Sequence, residues 1–125
     1  MADPKILCIR TAKEKGERKM TVGDILRVVD STKPNEYDDL TKIGWINEVE
    51  GMIYCETAKG AGGEFVPLCS SDDVVSLPKA YTRVYFLYIC AMMCLSKNEY
   101  TVYLKMITEF ERAFAQYAKY VIRNR

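Results

Sequence analysis

Two cysteines, Cys90 and Cys94, stand one helical turn apart and have the spacing to share a metal or a redox role. A tetrahedral site needs four ligands, however, and the chain contains no histidine, so buried packing is the favoured reading of the pair. The absence of histidine also removes the commonest general base and the commonest metal ligand. Asp72, Asp73 and the carboxylates between residues 38 and 56 are the other chemical candidates, since paired acids can divide general-acid and general-base work. That work needs burial, whereas carboxylates are usually solvated, and solvated surface is the expectation here. Gly60, Ala61, Gly62 and Gly63 lack the spacing and the trailing Lys-Ser or Lys-Thr of a phosphate-binding loop and read as a flexible loop. No residue set points to catalysis, a cofactor or a metal.

Aromatic side chains are the remaining chemical resource. Nine tyrosines are present, and those at 81, 85, 88, 100, 103, 117 and 120 fall at helical spacings. Such rings bury large areas while their hydroxyls seek polar partners, which suits a core edge or a protein interface. Base stacking is a third use, but it normally accompanies a basic groove. The candidate basic patches, Lys13, Lys15, Arg18 and Lys19, and Lys119, Arg123 and Arg125, are small and read as solvated termini.

The elements that must position these residues follow from periodicity. With 125 residues, 49% of them hydrophobic, the chain suffices for one compact domain. Its 18 basic and 17 acidic side chains nearly cancel, so no global field draws it to nucleic acid or anionic lipid. The longest apolar stretch, around Tyr85 to Leu95, is far shorter than the roughly 20 residues a bilayer requires, and the N-terminus lacks a secretion-signal pattern. The cysteines, odd in number and without a regular framework, point to a reducing cytosol.

Thr21 and Asp24 form a capping-box pattern opening a first helix, whose face is Val22, Ile25, Leu26 and Val29. Lys33, Pro34 and Asn35 end it. A second helix begins at Asp38 or Asp39, carries Leu40, Ile43, Ile46, Val49 and Ile53 inward with Trp45 and Met52 beside them, and runs to about Ala58. Asn47, Glu48 and Glu50 are expected nearer solvent, and Gly44 and Gly51 share a face where a close helix crossing or a plain surface position would explain them. Phe65 to Leu68 and Val74 to Leu77 suggest a short β-hairpin or an extended loop.

A third helix, from about Lys79 to Ser96, is apolar nearly all round and so central. The last, from about Glu99 to Asn124, carries a continuous seam of Tyr100, Tyr103, Ile107, Phe110, Phe114, Tyr117 and Val121. The expected fold is an all-α bundle of about four helices with a long C-terminal helix. Because that helix exceeds the third in length, its C-terminal turns are expected to project and to present Phe114, Tyr117, Tyr120, Val121 and Arg123 to a partner. Residues 20–125 form the expected domain, with residues 1–19 as an N-terminal extension. The codons for Gly16 to Lys19 would also suit a ribosome-binding site before Met20, which makes Met20 a candidate natural start, against a genuine N-terminal arm.

The order of several elements resembles the small head-tail connector, or head-completion, proteins of phages and prophages of Gram-positive bacteria. The matching residues are Val29 and Asp30 with Lys33-Pro34-Asn35, then Lys42, Trp45 through Gly51, and Ile53. They continue with Pro78, Tyr81, Tyr85, Ala91, Asn98-Glu99-Tyr100, Tyr103, Phe110, Ala113-Phe114, Tyr117, Tyr120 and Arg123. The match spans roughly Met20 to Arg123 and departs at Ala80 and Thr82, and at Leu104 and Lys105, where leucine widens the apolar face of the last helix. The resemblance implies a non-catalytic adaptor that forms a homo-oligomeric ring and joins the portal protein to tail-side neck proteins. It further implies assembly in the bacterial cytoplasm, a final place in the virion neck, no membrane partner, and at most non-specific contact with packaged DNA. Two other classes stand beside it. A small helical DNA-binding regulator would use the first two helices as a helix-turn-helix, but the second carries Asp38, Asp39, Glu48, Glu50 and Glu56 against Lys42 alone. An enzyme would need perturbed carboxylates or a reactive cysteine in a pocket.

Overall fold

The computed structural model describes residues 19–57 and 65–123. Strand β1 (Lys19–Thr21) leads into helix α1 (Val22–Thr32), followed by α2 (Asp39–Thr57), β2 (Val74–Pro78), a 3-10 turn (Lys79–Tyr81), α3 (Arg83–Ser96) and α4 (Tyr100–Arg123). The described residues are mostly helical, with one two-stranded antiparallel sheet among them. Cys8, the Gly60 to Gly63 run, Asn124, Arg125, the basic residues Lys13, Lys15 and Arg18, and nearly all of the expected extension lie outside the described residues.

Helix α1 begins where its free amides are all answered. Asp24 N–H donates to Thr21 Oγ1 and Thr21 N–H to Asp24 Oδ2, each at 3.1 Å, completing the capping box. Val22 N–H reaches Asp73 O at 2.8 Å and Gly23 N–H reaches Ser71 O at 2.9 Å, so the turn before β2 serves as a second cap. A Cβ on Gly23 would sit 3.2 Å from Ser71 O, a distance that requires the loop to give way. Glycine is therefore what lets the turn seat on the helix.

β2 pairs with β1, with Lys19 opposite Pro78 and Thr21 opposite Val74, not with residues 65 to 68 as a hairpin would require. The reason lies in Asn47, whose side-chain amide donates to Leu68 O and accepts from Leu68 N–H, both at 2.8 Å. The extended segment is fastened to α2 by one side chain and has no strand partner to seek. Asp38 supplies the α2 cap, accepting from Thr41 N–H at 2.8 Å.

Helix α3 is the centre, packed against α4, α2 and α1. Val84, Tyr85, Ile89, Met93 and Cys94 are completely or almost completely buried on it. It ends in a full Schellman motif: Glu99 N–H donates to Cys94 O at 2.9 Å and Asn98 N–H to Leu95 O at 3.1 Å. Asn98 takes the left-handed conformation, φ 61°, which asparagine tolerates better than most residues. The short connection turns α4 back along α3.

Two local expectations differ from the structure, and one open choice is decided by it. Leu40 is in phase with the α2 stripe but is 75% exposed, because it sits in the first turn and the core begins one turn later, at Ile43. Gly44 and Gly51 mark no internal crossing, since an added Cβ would meet nothing within 4 Å at either. Glu50 is not near solvent: it is only 4% exposed.

Candidate functional site

Glu50 occupies the centre of the molecule's main buried polar cluster. Its Oε1 accepts from Tyr85 Oη at 2.9 Å and from Ser76 N–H at 2.9 Å, while Tyr85 Oη in turn accepts from Leu77 N–H at 3.2 Å. The register between β1 and β2 is irregular across Val74 to Pro78, and the amides of Ser76 and Leu77 within that stretch turn to α2 and α3. One carboxylate and one phenol thus answer the amides of two successive residues. Burial, then the adjacent Glu50 carboxylate, pushes the Tyr85 phenol far above its ordinary range. Tyr117 feels the same two influences in the same order and is likewise raised. Tyr88 donates a short hydrogen bond to Glu48, and burial followed by that bond raises its phenol as well. These phenols are thereby held in their neutral form.

Lys42 is the second buried charge, 2% exposed. Its ammonium meets Asp30 at 2.7 Å, Asn35 Oδ1 at 3.3 Å and Asp39 at 3.8 Å, tying the end of α1 and the following corner to the start of α2. The lysine bond, ahead of the other contacts, holds the Asp30 carboxyl below its usual range.

The cysteine pair has a structural setting. Cys90 and Cys94 are buried on α3, and Lys33 Nζ donates to Cys94 Sγ at 3.4 Å. Burial pushes the Cys90 thiol up to about 11, away from the thiolate that metal binding or nucleophilic attack requires. Cys55 and Cys69 are exposed and free. Asp73 is occupied as a turn former, its carboxylate accepting from Cys69 N–H at 2.9 Å and Ser70 N–H at 3.0 Å. Among the described residues no group of three or more acidic, cysteine or histidine side chains is placed to hold a metal ion. Nor, among them, is any helix long and apolar enough to cross a membrane.

The expected partner residues on α4 are brought together, but against the core. Tyr117 is buried, and Phe114, Tyr120 and Val121 are half-buried and packed on the core cluster, so that Arg123 alone of the five is exposed. Tyr81 is the cover: its ring lies 5.4 Å from Tyr117 and 5.2 Å from Tyr120. Helix α4, with 24 residues against 14 in α3, is longer by about 15 Å. The 3-10 turn, standing just before α3, receives that overhang, so the C-terminal turns do not project bare as length alone suggests.

Ile122 is exposed near this end, and a larger set of exposed apolar side chains lies at the other. Tyr100 and Leu104, in the first turns of α4, are 57% and 61% exposed, and Leu95 and Val102 beside the connection are exposed too. Tyr37 and Ser96 share a hydrogen bond of 2.6 Å, which brings the start of α2, with its exposed Leu40, to this same end of the bundle. Sequence reasoning placed Tyr100 in the seam because its spacing fits. The signal against it was position, since the first turn of a helix that follows a tight connection has little of α3 left to pack on.

Comparison with protein-family models, with curated proteins and with solved structures gives no significant match.

Proposed function

We propose that the protein is a non-enzymatic structural adaptor of the phage head-tail junction, assembling as a ring that links the portal to the tail. The observation that carries this reading is the set of exposed apolar side chains, Leu40, Leu95, Tyr100, Val102 and Leu104, gathered at the bundle end that holds the α3–α4 connection. Scattered surface leucines need no explanation, whereas a group drawn from three helices at one end suits a protein partner. The resemblance of the residues from Met20 to Arg123 to head-completion proteins supplies the kind of partner, a portal on one side and neck proteins on the other. The protein would act in the host cytoplasm during assembly and remain in the virion neck.

The α2 surface supports this reading over a DNA-binding regulator. α2 exposes Asp39, Glu48 and Glu56 and turns its one cation, Lys42, inward, the reverse of what a recognition helix presents to phosphates. Light scattering of the purified chain mixed with portal protein encoded beside it tests the proposal. A complex is expected, with Tyr100→Ser combined with Leu104→Asp weakening it at an unchanged melting temperature. No complex, or one indifferent to these substitutions, sinks the reading.

A further inference from the structure

Among the described residues a groove of about 400 Å3 lies between α1 and the start of α3. Ile25, Val28 and Thr32, spaced three and four apart, line it from α1, and Thr82 and Phe86 line it from the other side. Its lining is chiefly apolar. Ile25 is buried, whereas Val28 is 44% exposed and Phe86 half-buried. Met20 completes the lining, and Met20 stands one position past the first described residue, so the preceding chain departs from the groove itself. Residues 1–18 contain one run of four apolar side chains, Ile6, Leu7, Cys8 and Ile9. Nine residues, Arg10 to Arg18, separate that run from Lys19, and six of the nine are charged.

We propose that the run from Ile6 to Ile9 seats in this groove of its own chain. The inference does not rest on the adaptor reading, and it takes residues 1–18 as a genuine arm in place of a start at Met20. Reach allows the contact: nine extended residues cover about 30 Å, whereas the 11 residues of α1 that the groove follows rise about 17 Å. A tether of that length holds the run at an effective concentration of roughly millimolar, so modest affinity fills the groove. The same run on a second copy arrives only at its bulk concentration and is outcompeted. Chemistry agrees with reach. Branched aliphatic side chains leave water against Met20, Val28 and Phe86 and need no polar partner there. A second hollow, of about 480 Å3, shares Met20 and Val28 with the groove and is lined by Lys19, Asp24, Arg27 and Lys79. Both signs of charge stand in it, as they do along the tether at Lys13, Glu14, Lys15 and Glu17, so the charged stretch meets opposite charge on its way.

Disulfide trapping in the full chain is the test. Cys8 lies within the run, Val28→Cys sets a second thiol at an exposed position of the groove, and Cys55→Ser with Cys69→Ser removes the other exposed thiols. Under oxidised glutathione, a disulfide between Cys8 and the introduced thiol is expected within one chain, identified by mass spectrometry of the linked peptides. It should form about tenfold faster or more than in a chain where Met52→Cys on α2 replaces the groove substitution. Ile6→Asp with Ile9→Asp should remove that advantage. In the otherwise native chain the same two substitutions should lower the melting temperature by about 4 °C or more, since the covered apolar area is lost. A disulfide that joins two chains assigns the groove to a second copy, and trapping no faster at position 28 than at position 52 leaves it to solvent. Either result overturns the inference, as does a melting temperature that the two aspartates leave unmoved.

Discussion

Tyr85 donates its phenolic hydrogen to Glu50 at 2.9 Å while accepting the amide of Leu77 at 3.2 Å, so that one hydroxyl joins the first turn of α3 to α2 and to β2. The relationship makes Glu50 a structural residue even though its type is one usually found in water. Glu50→Ala strands the Ser76 amide and the Tyr85 hydroxyl together, and a loss of about 2 to 4 kcal/mol is expected in urea unfolding. Tyr85→Phe removes the bridge but keeps the ring, so a smaller loss of about 1 to 3 kcal/mol should follow. Equal stability of Glu50→Ala and wild type would contradict this bridging role.

Stability should fall at both extremes of pH, for separate reasons. Asp30, Asp24 and Asp38 have carboxyls held below the ordinary 3.8 of an unfolded aspartate. Their contribution is therefore full above that value and is lost as pH falls through the lower folded values. Tyr85, Tyr88 and Tyr117 are raised above the ordinary 10.0, so their contribution is full below pH 10 and is lost progressively above it as unfolded phenols ionise. Ultraviolet titration should show a group of phenols that ionise only when the chain unfolds, and Asp30→Asn should flatten the acid limb of a melting-temperature profile. A single, fully reversible tyrosine transition near pH 10 would count against the buried cluster.

Two glycines should respond in opposite directions. Gly44→Ala gains helix propensity with open space for its methyl group, and about 1 kcal/mol of added stability is expected. Gly23→Ala meets Ser71 O at 3.2 Å and should cost stability by lifting the turn off α1. Thermal melts of the two variants, run side by side, check the sign of each.

Much of the fold was legible in local pattern. The Thr21–Asp24 box, the Lys33 to Asn35 stop, the centrality of α3 and the return of α4 all follow from spacing and end signals within a few residues of each other. What was not legible depended on residues far away in sequence. Glu50 reads as a solvent residue until Ser76 and Tyr85 are known to face it, and Lys42 reads as a surface cation until Asp30 does. The strand at Val74–Pro78 carried a β signal, but nothing local said that Lys19–Thr21 would pair with it or that Asn47 would occupy Leu68 instead. The packing of Tyr81 on the end of α4 was not legible because a helix's length says nothing of a ring placed there by a 3-10 turn. The chemistry of the cysteines was legible in kind, since apolar neighbours around Cys90 and Cys94 already argued for packing.

The pairing of Lys19 with Pro78 closes a span of 59 positions, whereas α3 and α4 are joined through residues 97–99 alone. Contacts so unequal in range form on different schedules: the α3–α4 hairpin can nucleate early, and the sheet must wait for a long loop to close. The sheet is thus expected to act as a latch, shutting last and opening first. Amide exchange in the native protein should trace that order, with Val22 and Gly23, whose hydrogens are held by the Ser71 to Asp73 turn, losing protection well before the middle of α3.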